Sequence, residues 1–462
     1  MKTLLLLLIL PCFTYQQRNP GLILQINHST LNEIKERLVP LLHKHMQNLT
    51  VTDELTSGIL TIGKTRIFLG ELQSKNITTR WESESSFILV LKNVLVQFKT
   101  DFYIGFSFWK YEGILNTLGG VSTVEFRMSF KEINEFSFKP YMNVEMLSVK
   151  TNMGNWRFHI EQDKFPVSVE KFVLPMLISY MQNNILEIGK KRANELNHVK
   201  LNRSLEENFP IELNIFEDVF LSTRLVRKPI IKESKLFLHF DASVYKGEGM
   251  YKRIKEPENL HLAFESGKFI QAFISENVIN ALLRGVGDKL IESESNVTKI
   301  KLLTTGTHKF ISIKHGGAFL DNIPGEATVS YQGYSLDVRF TMTGDVSLVY
   351  MFNGKNKVKL TINTLTFNEF NILNEGYGIS YLSRPVKNIV YAYLMAVNNE
   401  FMIDIPDFNV PFGLKLEHLD VYFWDGQAIT TADFITDTIL VYMENKFKEC
   451  MDDLIEQAEI EE

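Results

Sequence analysis

The residue types that most often carry chemistry are present in this chain, but they are not arranged to do it. The ten histidines are scattered. His43 and His45 stand two residues apart, whereas a metal-binding helix face needs its ligands four apart. There is no Gly-x-Ser-x-Gly elbow for a nucleophilic serine, no His-Glu-x-x-His and no phosphate-cradling glycine loop. Asp452-Asp453 reads as part of a solvated acidic face rather than as a general acid/base pair. Cys450 has Lys448 as its one basic neighbour in sequence. No catalytic residue and no metal ligand is assigned, and the chain is not expected to be an enzyme.

The asparagines carry a different kind of chemistry. Asn-x-Ser/Thr occurs at Asn27, Asn48, Asn76, Asn202 and Asn296. Each is a glycosylation acceptor if the chain is secreted and the site faces solvent. Residues 1–17 agree with secretion. Met1-Lys2 is a basic start, Leu4 to Leu10 is an unbroken apolar run, and Gln16-Gln17-Arg18 is a polar exit. That is the pattern of a secretory signal peptide, and the run is too short for a membrane-spanning helix. A secreted, extracellular and soluble product is expected. If Cys12 leaves with the leader, Cys450 has no partner in the chain. Stability must then come from core burial rather than from a disulfide. With 462 residues, 45% hydrophobic and 34 of them Phe, the sequence has the means for two large cores.

Charge excludes one class of partner. The net charge is −6, and it is unevenly spread. Residues 1–200 carry 23 Lys+Arg against 18 Asp+Glu, a balance of +5, and the remainder carries 26 against 37, a balance of −11. Residues 433–462 hold ten acids and two lysines. Nucleic acid would call for a concentrated basic patch, so it is not an expected partner.

The elements follow from periodicity. Leu31, Ile34, Leu38, Leu41 and Leu42 recur at helical spacing behind Thr30, a suitable N-cap, with Pro40 as a bend. From Gly58 to about Gln162 the pattern becomes that of β-strands, including Phe87–Leu91, Val94–Phe98, Tyr103–Trp109 and Thr123–Phe130. A second helix is expected from about Ser168 to Leu196, with Phe172, Met176 and Tyr180 in its apolar stripe and Pro175 as a kink. Arg224 to Ile230, polar and proline-containing, marks a boundary. The plan then repeats. A helix is expected over about Ser266 to Leu290, with Phe269, Ile270, Phe273 and Ile274 on one side. Strands follow to about residue 372, then a helix over Pro385 to Phe401, then strands Leu414–Trp424 and Ala428–Phe434. The tail, 435–462, reads as one acidic amphipathic helix. The expected units are thus a leader at 1–17, a first half at 18–228, a second half at 229–434 and the tail.

Kinked helices beside sheets with one apolar face allow two outcomes. Either an apolar groove lies between them, suited to an acyl chain, or the side chains fill the space themselves. Burying each CH₂ is worth about 0.8 kcal/mol in either case.

Asn19-Pro20-Gly21-Leu22-Ile23-Leu24-Gln25-Ile26, followed by the Leu31 helix, resembles the opening of the bactericidal/permeability-increasing protein and lipopolysaccharide-binding protein family. Gly58 to Leu72 resembles that family's first long strands, and Phe216 to Ser222 its first central-sheet strand. His261-Leu262-Ala263-Phe264 resembles the start of its second barrel, and Leu414 to Phe434 its closing strands. The resemblance spans about residues 19–434 without one diagnostic motif. It implies an α+β fold: an elongated two-barrel boomerang, each barrel a twisted antiparallel sheet with long helices, joined by a central antiparallel sheet. It also implies a phospholipid-like ligand in an apolar pocket of each barrel, with no other cofactor, and the chain is expected to be a monomer. Lipid is the expected partner, with membrane or lipopolysaccharide surfaces as alternatives. The expected pocket residues are Leu38, Leu42, Phe172, Met176 and Tyr180 in the first half, and Phe269, Phe273, Val390 and Leu394 in the second. Two features depart from the family. Its disulfide has no counterpart here. Its lysine-rich tip is replaced by a near-balanced stretch, Phe98 to Phe130, with Lys99, Lys110 and Arg127 against Asp101, Glu112 and Glu125.

Overall fold

A computed structural model describes residues 19–27, 48–51, 55–57, 59–70, 72–106, 109–117, 121–130, 144–151, 157–161, 212–216, 219–247, 260–262, 266–286, 293–294, 298–302, 311–352, 356–374, 380–397, 402–404 and 415–435, with scattered helical positions in 30–40, 171–194 and 441–445. The described part is mostly antiparallel sheet with few helices, divided among sheets of nine, seven, six and three strands. Each of these sheets has end strands, so no closed barrel is formed among the described residues.

The nine-stranded sheet is organised by one strand, Ser86–Phe106. The sequence reads there as three shorter strands, because Lys92-Asn93 resembles a turn. The chain instead runs on through an irregularity between Leu91 and Val94, with Asn93 at φ 54°. A bulge of this kind bends a strand and increases its twist. Before the bend the strand pairs with Ile77–Ser83 and with most of Val121–Phe130, whose first two residues pair just past it; beyond, it pairs with Leu60–Leu69 and Trp109–Thr117. Its buried positions keep a period of two: Ile88, Val90, Val94, Phe98, Phe102 and Ile104. Leu174 and Leu177, both helical, pack on the part of this face around Phe98 and Phe102.

The second half is built on three long strands, Gly317–Tyr331, Tyr334–Phe352 and Asn356–Ile372. Gln332 and Gly333, at φ 52° and 84°, make the tight turn between the first two. The helix Ser383–Val397 covers this sheet. Pro385 lies in its first turn, where the missing N–H costs nothing.

The six-stranded sheet is central. Its order is Ile230–Lys232, Lys235–Phe240, Leu22–Asn27, Ile270–Ser275, Gln427–Ile435, Lys415–Trp424, and every pairing is antiparallel. The strand Leu22–Asn27 therefore sits between strands that lie more than two hundred residues later in the chain.

One expectation is corrected here. The helix expected over Ser266–Leu290 is a strand, Ile270–Ser275, followed by a shorter helix, Glu276–Val286. Ile270, Phe273 and Ile274 satisfy helical spacing, but burial alternates, with Gln271, Phe273 and Ser275 inside. Tertiary pairing on both sides decides the conformation. The Thr30 hydroxyl also ties this segment to the central sheet, donating to the Phe269 carbonyl at 3.0 Å.

Candidate functional site

The expected pocket residues of the first half, Leu38, Leu42, Phe172, Met176 and Tyr180, lie outside the described residues. Those of the second half divide between two places. Val390 and Leu394 lie on the Ser383–Val397 helix, one turn apart, at 0% and 3% exposure. With Val386 they form a stripe at four-residue spacing that faces the sheet. Phe340 and Phe367 stand opposite, ring centroids 5.2 Å apart and nearly perpendicular, with Phe370 5.4 Å from Phe367. Lys387 extends over the Phe367 ring at 5.7 Å. The three phenylalanines were missed at the level of sequence. Their signal was present, because Phe340 falls in the alternating run Leu336, Val338, Phe340, Met342, all of it buried.

Phe269 and Phe273 belong instead to the central sheet. Phe273, at 0% exposure, packs with Ile23, Phe237 and Ile429. Phe269 acts through its backbone, accepting from the Asn27 N–H and the Thr30 hydroxyl and donating to Asp433 Oδ1. The structure therefore brings Val390 and Leu394 together and leaves Phe269 and Phe273 in a separate cluster.

Around Phe273 the same sheet face is polar. Gln25, Gln271, Thr431 and His239 are all buried. Burial first, and then the charge of Arg227, push the His239 imidazole down to about 3, so it is neutral at physiological pH. At the sheet's rim Gln427 brackets His261, donating to its carbonyl and accepting from its N–H, each at 2.8 Å. Lys268 donates to Asp433 at 2.7 Å, and that hydrogen bond raises the lysine's pKa.

Among the sequons, Asn27 is engaged. Its Nδ2 donates to the Lys268 carbonyl at 2.5 Å and its Oδ1 accepts from Gln25 Nε2 at 3.1 Å. Asn76 closes a short turn of 3₁₀ helix, Ser74–Asn76, and is half-buried. Asn48 begins the strand Asn48–Val51. Asn202 and Asn296 lie outside the described residues.

Among the described residues there is no cluster of three or more His, Cys, Asp or Glu that could hold a metal ion. No helix among them is long and apolar enough to cross a membrane. The chemistry this arrangement offers is apolar contact, with buried hydrogen bonding at the central sheet.

No protein-family model matches the sequence, and no curated protein does. Among solved structures, the crystal structure of lipopolysaccharide binding protein is similar at a TM-score of 0.42 and 14% identity, over 90% of this chain and 99% of that one. The structure of P47 of Clostridium botulinum E1 is similar at 0.36 and 10%, over 90% of this chain and 100% of that one.

Proposed function

We propose that this chain is a secreted lipid-binding or lipid-transfer protein without catalytic activity. It holds phospholipid-like acyl chains between the helices and sheets of two halves, which take the form of the two-barrel boomerang implied by its sequence resemblance. The observation that carries the reading is the central sheet. Strands from the chain's beginning (Leu22–Asn27), its middle (Lys235–Phe240, Ile270–Ser275) and its end (Gln427–Ile435) meet there. Two long meanders, each with helical residues on an apolar face, are thereby joined in the order that the resemblance implies.

A second reading is favoured by a different observation. Val386 and Val390 are at 0% exposure, packed among sheet side chains. A half that is solidly filled would make the chain an interaction or structural protein.

The test is native mass spectrometry of the purified protein, with organic extraction of whatever it carries. Co-purified lipid supports the first reading, and a bare mass supports the second. Val390→Trp separates them further. In a groove it displaces lipid with little loss of stability, whereas in a close-packed core it costs about 1–3 kcal/mol by overpacking. Lipopolysaccharide is the alternative ligand. On the solvent-facing side of the first sheet, Arg66, Lys99 and His159 share one row, with Glu161 held 3.1 Å from Lys99. Attraction from so few exposed charges is screened within about 8 Å at physiological salt. Capture of lipopolysaccharide is accordingly expected to be weak and to fall as salt is raised.

A further inference from the structure

Three adjacent strands of the central sheet place Gln25, Gln271 and Thr431 directly opposite one another: Gln25 pairs with Gln271, and Gln271 with Thr431. Cross-strand partners share a face. All three are essentially sealed from solvent, at 1%, 0% and 0% exposure. In a sheet interior such positions are ordinarily apolar, as Ile23, Phe273 and Ile429 are in the neighbouring row.

The orientation of both carboxamides is fixed by their nitrogens. Gln25 Nε2 donates to Asn27 Oδ1 at 3.1 Å. Gln271 Nε2 donates to Ser266 Oγ at 2.6 Å and to the Ser266 carbonyl at 3.2 Å. Turning either amide over would set oxygen against oxygen. What remains is one acceptor on each, Gln25 Oε1 and Gln271 Oε1, beside the Thr431 hydroxyl. None of these three buried atoms has a hydrogen-bond partner among the described residues. His239 Nδ1, on the same face one strand further out, is a fourth.

A buried polar atom without a partner costs about 1–3 kcal/mol. Three in register, all able to accept, point to a common donor. Neighbouring strands lie about 4.8 Å apart. Two hydrogen bonds of about 2.8 Å leaving one centre at a near-tetrahedral angle span a similar distance. A single centre with two O–H or N–H bonds is therefore of a size to bridge side chains on two neighbouring strands, and Thr431 stands opposite Gln271 on the third.

We propose that Gln25, Gln271 and Thr431 form a buried seat for a hydrogen-bond-donating centre bearing at least two O–H or N–H bonds. Ordered water and the amino group of a small amine share that chemistry. The seat joins the beginning, middle and end of the chain. It does not depend on lipid occupying either half.

Thr431→Val tests it cleanly, because the Thr431 hydroxyl has no hydrogen-bond partner to lose among the described residues. If the seat is occupied, Thr431→Val lowers Tm by about 2–4 °C and Thr431→Ser largely restores it. A high-resolution crystal structure of the wild-type protein then shows density within hydrogen-bonding distance of both glutamine oxygens. Density with no added mass in native mass spectrometry identifies water. Added mass that survives exchange into volatile buffer and matches a small amine identifies the amine. Thr431→Val that melts at or above the wild-type temperature overturns the proposal. If that variant does not fold, the wild-type density decides alone, and its absence overturns the proposal equally.

Discussion

Asn280 treats Ile311 as a neighbouring strand would. Its Oδ1 accepts from the Ile311 N–H at 2.9 Å, and its Nδ2 donates to the Ile311 carbonyl at 2.8 Å. The strand Ile311–Lys314 pairs with only one other described strand, so this side chain occupies its open edge. Asn194 does the same in the first half, bracketing Met146 at 2.7 and 3.1 Å on the edge strand Val144–Thr151. A helix that lends one carboxamide to a sheet edge fixes its own position and blocks pairing with a foreign strand.

Asn280→Ala is therefore expected to destabilise the second half by about 2–4 kcal/mol, since both buried backbone groups of Ile311 lose their partner. Chemical denaturation measures this. Asn280→Asp should recover only part, because a carboxylate keeps the acceptor and removes the donor. Loss below about 0.5 kcal/mol for Asn280→Ala would show that water replaces the contact, as it does at exposed sites.

His239 sets an acid limit. Its folded pKa lies near 3, below the ordinary 6.5, because burial and Arg227 disfavour the charged ring. Above pH 6.5 the folded and unfolded chains are both neutral at this position, and its contribution to stability is complete. Below it the unfolded chain takes up a proton that the folded chain refuses. Stability then falls by about 1.4 kcal/mol for each pH unit down towards 3. Urea midpoints measured from pH 7 to pH 4 should show this slope, and His239→Gln should flatten it.

Gly344 is a position where only glycine fits. A Cβ added there would run into the carbonyl oxygen of Thr364 on the adjacent strand, next to a register irregularity between Asp345 and Val346. Backbone cannot step aside as a side chain can. Gly344→Ala should cost about 1–3 kcal/mol, read as a lowered Tm. Gly333→Ala, in the tight turn, meets no atom and should be penalised only through its φ of 84°.

Asn27 should carry no glycan even if other sequons do. Its Nδ2, the atom that a glycan would occupy, is committed to the Lys268 carbonyl. Glycopeptide mapping of the protein expressed through a eukaryotic secretory pathway checks this. Full occupancy at Asn27 would require the Leu22–Asn27 strand to sit differently.

Much of the second half was legible in the sequence. The Ser383–Val397 helix announces itself through Pro385 and through valine and leucine at every fourth position. The strand Gln427–Ile435 was read within one residue at each end. The central sheet was harder. Ile270 to Ser275 satisfies two periods at once, and what distinguishes them is the burial of Gln271 and Ser275, which composition presents as solvent-facing. The long strand Ser86–Phe106 was divided because Lys92-Asn93 has the chemistry of a turn, and its φ of 54° is spent on a bend. The pocket residues were chosen on helical faces. Phe273 turned out to lie on a strand, and register across a sheet cannot be read from one strand's sequence.

The placement of Leu22–Asn27 also sets an order of events during synthesis. Its two strand partners, Lys235–Phe240 and Ile270–Ser275, leave the ribosome only after more than two hundred further residues, and the last inner strand, Gln427–Ile435, some four hundred residues after it. The Leu22–Asn27 segment must therefore wait for both partners through about half of translation. Either half can settle its local hairpins early, but the hub closes last. Pairings this distant in sequence are slow to form, and an open strand is prone to non-native association meanwhile. Chains that stop short of Gln427 should accumulate as half-assembled species that bind chaperones.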